Sequence, residues 1–507
     1  MHAVTSAAAT ASNRLTAMTT AARRYLPFRK EDEDETLHFA HHEERTEMTV
    51  FENGTDGATT KDENSAEKGL EMNGALPHKG WVTKTEGSNE PIAHRNITSW
   101  DAGWNVTNAI QGMFIVAFPY SVLHGGYWAI VVIVGIAYIC CWTGKILVYC
   151  LYEEDKQTGE KIRVRKTYVE IAEEVWGKRR GAQVVYAAQF VELIMTCILY
   201  LVLCGDLLSN SFKYSGISAS TWTIISSAFL VPCAFLRNLK SVSRLSFGCT
   251  VAHIFINIII IGYCVTQIPH WQWGEVRLLV DIHYFPIVLG IVVFSYTSQI
   301  FLPSLEGNME DKHNFNKMMH WTHGLAGLFK ALFGYVGFLT WGWATKEVIT
   351  DNLPSDVFRA IVNIFLVVKA LLSYPLPYFA SVELIERHFF QGRPATFFPT
   401  CYALDGGLTV WGVFLRCVLV VFTLLLAIYV PHFALLMGLI GSFTGTMLSF
   451  IWPCWFHLKL KWHSIPWYQK MFDFIIILTG LVCGTIGIIY ASQALVEAYQ
   501  TNITTGF

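Results

Sequence analysis

The amino-acid sequence predicts an all-α membrane protein with eleven transmembrane helices. Hydrophobic residues make up 53% of the 507-residue chain and charged residues only 15%, a composition typical of integral membrane proteins. From about residue 101 onward, the chain is a succession of apolar segments, each near the roughly 20 residues that cross a bilayer as a helix. The predicted spans are 102–123, 127–150, 184–208, 220–236, 242–266, 284–303, 319–343, 356–376, 408–429, 432–455 and 471–494.

The first 95 residues have a different composition from the rest of the chain. Ala, Thr, Ser and charged residues dominate them, and Glu31–Glu35 is an acidic run, EDEDE. Such a segment buries too little apolar surface to fold, so we predict a disordered tail. A transmembrane domain at 96–500 and a short C-terminal segment at 501–507 are expected to follow. Since no cleavable signal opens the chain, the first membrane helix is expected to direct insertion.

The distribution of Lys and Arg predicts the orientation. The predicted loops on the side of the N-terminal tail hold 18 of these residues, against three on the opposite side. Because positively charged loops stay cytoplasmic, the N-terminus is predicted to be cytosolic and the C-terminus luminal. Eight of the 18 lie in loop 151–182, which we interpret as a solvated loop with a short interfacial helix. A lipid or regulatory contact is the alternative for this loop.

Several classes of function are not indicated by the sequence. The formal net charge of −2 gives no sign of a nucleic-acid partner. Most of the 12 cysteines lie in apolar segments without CxxC or Cys/His spacing, which favours small core residues over metal ligands. No pairing of a nucleophile with a base is apparent. We therefore expect neither an enzyme nor a metal site nor an organic cofactor.

The stretch NVTNAIQGMFIVAFPYSVLHGGY at Asn105–Tyr127, which contains most of the first predicted span, is interrupted in its middle. Irregular backbone at membrane depth is tolerated where it lines a cavity, and transporters use such half-helix ends to bind carboxylates and ions. We predict that backbone N–H groups here meet a substrate carboxylate, with Pro119 as a second break and the Gly125–Gly126 pair closing the stretch. An ordinary membrane helix with incidental Gly and Pro is the alternative. The predicted contacts are Ile110, Gln111 and Gly112.

The sixth predicted span carries a polar patch at Ser295–Gln299. It lies five spans after the first, a spacing that fits two inverted five-helix repeats, each beginning with a discontinuous helix. This segment is predicted to form the opposite wall of the same cavity; hydroxyl contacts between helices are the alternative. The residues predicted to line it are Phe294, Ser295, Tyr296 and Ser298.

Charged residues inside predicted spans are candidates for proton coupling. Glu192 stands among apolar neighbours on the third span, where a carboxylate must be neutralised by a proton or a cation. It is predicted to carry a proton or to face a substrate amine, and a structural ion pair is the alternative. Lys369 lies centrally in the eighth span and is predicted to replace a bound cation or to pair with a carboxylate. Lys330, Arg416, His253 and His323 also lie within predicted spans.

Five motifs carry a resemblance to a known family. They are Thr98–Tyr127, Glu192–Leu199 (ELIMTCIL), Ile291–Asn308 (IVVFSYTSQIFLPSLEGN), Lys346–Leu353 (KEVITDNL) and Ile428–Leu439 (IYVPHFALLMGL). Together they resemble the vesicular inhibitory amino acid transporter family of the amino acid/auxin permeases, over residues 95 to 500. The resemblance implies a LeuT-like fold and an antiporter that loads GABA and glycine into synaptic vesicles, driven by the proton gradient. Chloride is implied as a further partner.

Alternative functions remain at this point. One is a proton-coupled amino acid permease of the plasma or lysosomal membrane. A channel or a substrate-sensing receptor on the same fold belongs to another class. A channel would favour a continuous polar pore, whereas this sequence offers two discontinuous helices and one isolated carboxylate. A receptor would bind its ligand without accumulating it.

Overall fold

The computed structural model describes residues 97–155, 159–232, 240–279, 281–389, 409–430 and 432–504. The predicted tail at 1–95 lies outside the described residues. The helices are α1 Ser99–Ile110, α2 Phe118–Tyr149, α3 Tyr168–Trp176, α4 Lys178–Ser211, α5 Ala219–Ala228, α6 Lys240–Thr266, α7 Phe285–Tyr296, α8 Leu302–Gly307, α9 Phe315–Trp341, α10 Asp356–Ser373, α11 Pro375–Phe389, α12 Val410–Tyr429, α13 Phe433–Ile440, α14 Trp452–Lys461 and α15 Trp467–Thr504.

Shorter elements complete the described part of the chain. A two-stranded antiparallel hairpin pairs β1 Tyr152–Glu154 with β2 Lys161–Arg163. The last helix, α15, continues into the C-terminal segment that we expected to begin at 501. Single 3-10 turns lie at Met113–Ala117, Lys213–Ser215, Ile268–His270, Trp273–Glu275, Lys312–Asn314, Gly342–Ala344 and Ile349–Asn352.

The fold is a helical membrane protein, as predicted. Among the described residues, seven helices are long and apolar enough to cross a membrane, and two shorter apolar helices lie at His253–Thr266 and Phe285–Tyr296. Large apolar side chains are exposed on them, for example Leu328 at 67% and Val131 at 58%. Such exposure is costly in water and normal against lipid. The count of eleven spans and the inverted repeat stay predictions.

The first predicted span is broken where the sequence indicated. Helix α1 ends at Ile110, and Gly112 has an extended ψ of 177° before the chain turns into Met113–Ala117 and α2. Pro119 does not make a second break, because it lies in the first turn of α2, where its missing N–H costs nothing. The bend comes at Gly126 instead, with φ 54°, where a Cβ would clash with the Arg277 carbonyl.

The sixth predicted span is also discontinuous. Helix α7 ends at Tyr296 and α8 begins at Leu302, with the polar segment between them. The Gln299 side chain holds this segment in place. Its amide group donates to Thr143 (3.1 Å) of α2, and its carbonyl oxygen accepts from the Ser449 hydroxyl (2.8 Å). The same oxygen accepts from the Ser298 backbone N–H (3.0 Å), a group that a regular helix would have paired internally.

The segment Phe433–Lys461 runs as one long helix through two π-helical stretches, Gly441–Gly445 and Met447–Ile451. It packs closely against α7, because a Cβ at Gly441 would clash with the Gly290 carbonyl. The small residues bring the two backbones together, as is common between membrane helices. Thr444 is thereby placed beside the break that follows α7.

The predicted loop 151–182 contains the expected short helix, α3, and the hairpin that we did not predict. The hairpin is tied to α8: Arg163 donates to the Pro303 carbonyl (2.8 Å), and the Tyr152 hydroxyl donates to Glu306. Ile97, just before α1, pairs with the chain after α8 through Asn308. The two half-helices α1 and α8 are therefore linked at one end of the molecule.

Candidate substrate site

A cavity of about 540 Å³ lies between the two helix breaks. Polar and aromatic side chains from α1, α4, α7, α8, α10 and α11 surround it. The residues that line it are Trp100, Asp101, Trp104, Asn105, Val106, Asn108, Ala109, Gly112, Phe114, Glu192, Leu193, Thr196, Tyr200, Phe294, Thr297, Ser298, Ile300, Phe301, Leu302, Ser304, Leu305, Asn308, Lys369, Leu372, Ser373, Leu376 and Pro377.

Five of the nine residues proposed from the sequence line this cavity: Gly112, Phe294, Ser298, Glu192 and Lys369. The other four do not. The rotation of each half-helix turns these side chains into the protein instead. Those four are Ile110, Gln111, Ser295 and Tyr296.

The four remaining residues have structural contacts. Ile110 is buried in the apolar core, and the Gln111 amide is directed towards the Ala326 carbonyl of α9 (3.4 Å). Ser295 and Tyr296 instead surround a buried lysine, Lys330 of α9. These side chains do not line the cavity, and their contact with a substrate stays a prediction.

Lys330 neutralises the end of α7. It is completely buried, and its Nζ donates to the Ser295 carbonyl (2.8 Å) and to the Ser295 hydroxyl (3.0 Å). The same ammonium group lies 3.6 Å from the centroid of the Tyr296 ring. A cation at a helix C-terminus offsets the partial negative charge of the last carbonyls. The sequence showed a lysine inside a span, but not which helix end it would meet.

Backbone N–H groups reach the cavity at the first break. The helical stretch that leads into α2 begins at Met113, so the N–H groups of Gly112, Met113 and Phe114 have no preceding carbonyl on that helix. Such a helix start carries partial positive charge and favours an anion. Because Gly112 lines the cavity, this end of the helix can receive a carboxylate.

An aromatic cluster limits the cavity at one end. The Phe114 ring lies 5.0 Å from Phe294, 5.4 Å from Tyr200 and 6.2 Å from Phe433, measured between centroids. The opposite end is open between α1 and α8, where Trp100 is 80% exposed. The cavity therefore has one aromatic, closed end and one open end.

Glu192 of α4 is buried, with 3% of its surface exposed. Its carboxylate accepts a hydrogen bond from the Thr444 hydroxyl in the first π-helical stretch. Thr297, in the break after α7, is a second hydrogen-bonding neighbour. We did not identify Thr444 from the sequence; its surroundings, GSFTG, are rich in small residues and hydroxyls. π-Helical turns frequently occur at functional sites.

Lys369 of α10 contributes a positive charge to the same cavity and is 4% exposed. Glu192 and Lys369 therefore place one carboxylate and one ammonium group, from separate helices, around a common space. Among the described residues, no group of three or more His, Cys, Asp or Glu side chains is placed to hold a metal ion.

Residues 95–494 match the protein family described as "Transmembrane amino acid transporter protein". This chain belongs to that family. The family consists of transporters rather than enzymes, in agreement with the sequence-based expectation. The segment matched contains both helix breaks and every residue that lines the cavity.

Relatives with curated names are similar over most of their length. The chain is 49% identical over 492 residues to a Xenopus laevis protein named vesicular inhibitory amino acid transporter, covering 94% of each chain. The human protein of that name is 49% identical over 494 residues, again covering 94% of each chain. A Caenorhabditis elegans protein named vesicular GABA transporter is 46% identical, covering 84% of this chain and 86% of that one.

Solved structures show more distant similarity. MhsT in complex with L-phenylalanine aligns with a TM-score of 0.48 and 11% identity, covering 78% of this chain and 99% of that one. The inward-facing conformation of Mhp1 aligns with a TM-score of 0.45 and 13% identity, covering 84% of this chain and 96% of that one.

Proposed function

We propose that this protein is a proton-driven vesicular antiporter that loads GABA and glycine into synaptic vesicles. The names of its relatives support inhibitory amino acids such as GABA as the substrate and a vesicle as the compartment. The cavity supports a zwitterionic substrate, because a helix start with free N–H groups and a buried carboxylate line the same space. This juxtaposition is the observation that carries the proposal.

The proposed binding pose places the two ends of the substrate on different helices. Its carboxylate accepts from the N–H groups that begin at Gly112, and its ammonium group faces Glu192. The methylene groups of GABA pack on Phe294 and Tyr200, which belong to the aromatic cluster. Glycine would make the polar contacts with less apolar burial.

Proton coupling is assigned to Glu192 together with Lys369. A carboxylate at membrane depth requires a proton, a cation or strong hydrogen bonds. When the substrate ammonium group leaves, a proton on Glu192 would replace it, while Lys369 supplies positive charge throughout the cycle. The involvement of chloride in transport remains a prediction that the family resemblance implies.

The proposed orientation puts the N-terminus in the cytosol and the C-terminus in the vesicle lumen. The distribution of Lys and Arg supports it. The open end of the cavity lies at the start of α1, on the side of the N-terminal tail, so the conformation described here would face the cytosol. The aromatic cluster would separate the substrate from the lumen.

Uptake of labelled GABA into proteoliposomes with an acidic interior tests the proposed function. We expect accumulation that collapses when a protonophore removes the gradient, competition by glycine and little competition by glutamate, whose second carboxylate would meet Glu192. Binding of GABA without accumulation would instead support a receptor. Preference for a larger amino acid would support the alternative of a plasma-membrane or lysosomal permease.

Cysteine substitution along residues 294 to 298 tests which side chains face the substrate. We expect GABA to protect Phe294→Cys, Thr297→Cys and Ser298→Cys from a small thiol reagent, because these positions line the cavity. Protection is measured as the ratio of labelling rates with and without GABA. Ser295→Cys and Tyr296→Cys serve as controls in the same helix turn. Equal protection at all five positions would show that GABA lowers labelling through a conformational change of the whole protein instead.

A further inference from the structure

Residues 345–353, here called the cover segment, lie at the closed end of the cavity. The segment contacts the 3-10 turn Met113–Ala117, which carries Phe114 of the aromatic cluster. Val348 and Ile349 are buried, with 1% and 0% of their surface exposed. Opening this end of the cavity therefore requires the cover segment to move.

Two side chains tie the cover segment to neighbouring helices. Glu347 accepts from the backbone N–H of Ala434 (3.1 Å), at the start of α13. Asp351 accepts from the side-chain amide of Asn210 (2.8 Å), near the end of α4. These contacts hold the segment across α4, which carries Glu192, and α13, which carries Phe433 of the aromatic cluster.

The tie to α4 brings two carboxylates together. The Asn210 amide nitrogen donates both to Asp351 Oδ2 and to Asp206 Oδ1 (3.0 Å), so its two protons are shared between the two acids. Asp351 is 8% exposed, and its Oδ1 is buried without a hydrogen-bond partner. The neighbouring Thr350 hydroxyl is also buried without one. One buried carboxylate oxygen therefore lacks a donor beside a second acid.

No cation among the described residues forms a salt bridge with either acid. Arg359 of α10 instead bonds the carbonyls of Leu353 and Asn210 and the carboxylate of Asp356. Burial and the Asp206 carboxylate raise the pKa of Asp351, and three cations oppose this effect only in part. The charged groups that face the pair are Lys346 and Glu347 of the cover segment, Lys213 after α4, and Arg359.

We propose that Asp206 and Asp351 form a proton-binding site that holds the cover segment closed over the cavity. A proton on one acid removes the repulsion between the carboxylates and gives Asp351 a donor. When the segment opens, water solvates both acids and the proton is released. The closed state thus binds one proton more than the open state.

The sign of the pH dependence follows from this difference. An acid whose pKa is raised in the closed state stabilises closure at low pH, and the effect is lost as pH rises through the raised value. The lower limit of this pH range is the ordinary aspartate pKa of about 3.9, which applies to the open state. Between these limits, the ratio of closed to open protein changes by at most about tenfold per pH unit.

The use of this site in transport rests on the proposed function. In a vesicle, the cover segment would face the acidic lumen. After the substrate has left, a luminal proton would close this end and return the empty carrier to the state that is open to the cytosol. Substrate exchange bypasses that return step.

Labelling of Val348→Cys in protein reconstituted into nanodiscs tests the site without any substrate. Modification by a maleimide is quantified on the peptide that contains this position, so native cysteines do not interfere. The modification rate of Val348→Cys is divided by the rate of the double variant that carries Val348→Cys and Asp351→Asn. This division cancels the intrinsic pH dependence of the thiol. We expect this ratio to rise several-fold from mildly acidic to mildly alkaline pH. A ratio that is constant with pH would overturn the proposal.

Two further variants complete the test. Asp206→Asn removes the other acid and should likewise abolish the pH dependence, which keeps the test decisive if Asp351→Asn does not fold. Glu275→Gln, an exposed acid beside Trp343, is the matched control and should behave as the parent protein. Absence of GABA transport by the unmodified protein would reject the proposed function, whereas the labelling result would still decide the proton site.

Discussion

Replacing Glu192 with glutamine is expected to reduce gradient-driven uptake to the level of protein-free liposomes. Glutamine keeps the size of the side chain and can still accept the hydrogen bond from Thr444, but it does not titrate. A membrane carboxylate that alternates between a proton and an ammonium group cannot be replaced by a neutral amide. Uptake with an acidic interior, compared with GABA exchange at equal pH, measures this effect.

The two assays separate the roles proposed for Glu192. Loss of net uptake with retained exchange indicates proton coupling alone, and loss of both indicates contact with the substrate ammonium group. Glu497→Gln, on the exposed surface of α15, is the control and should transport normally. Normal proton-driven accumulation by Glu192→Gln would reject both roles and make Lys369 the next residue to test.

Replacing Gly112 with valine is expected to cause the second large loss of transport. The N–H groups that are proposed to bind the carboxylate begin at this residue. A branched side chain here would crowd them. Hydrogen bonds to a charged group contribute about 1.5–3 kcal/mol each. Loss of one therefore weakens binding by at least about tenfold. Binding of labelled GABA by purified protein measures the change directly.

The backbone at Gly112 accepts a Cβ without strain. Gly112 has an ordinary negative φ of −54°, and a Cβ there would meet the Phe114 ring at 3.4 Å, a normal contact distance. Gly112→Ala should accordingly retain part of the binding. Gly135→Val, where a Cβ meets nothing within 4 Å, controls for adding a valine to a membrane helix. Wild-type affinity in Gly112→Val would contradict the assigned carboxylate site.

The positions of the helix breaks could be read from the sequence because they depend on local composition. Gly112 and the polar patch at Ser295–Gln299 interrupt apolar segments, and an interrupted helix in a membrane must line a cavity or be buried in protein. Glu192 could be singled out in a similar way, because a lone carboxylate in an apolar span must be neutralised. Both breaks and Glu192 do border one cavity.

Predictions from local sequence were less successful where the conformation depended on neighbouring elements. Pro119 begins a helix rather than breaking one, and the bend occurs at Gly126, where the Arg277 carbonyl approaches the backbone. Ser295 and Tyr296 contact Lys330 and do not line the cavity. Sequence spacing alone does not establish how each half-helix is rotated about its axis.

The sequence by itself determined that the chain is a helical membrane protein and where two of its helices break, and it singled out Glu192, Lys369 and Gly112, which line one cavity. The partners of these residues required the folded chain. Thr444 lies 252 positions from Glu192, and Asp351 lies 141 positions from Asn210. Such contacts depend on helix rotation, π-helical turns and close glycine packing. These features are set by long-range packing between helices, which no local pattern of residues records.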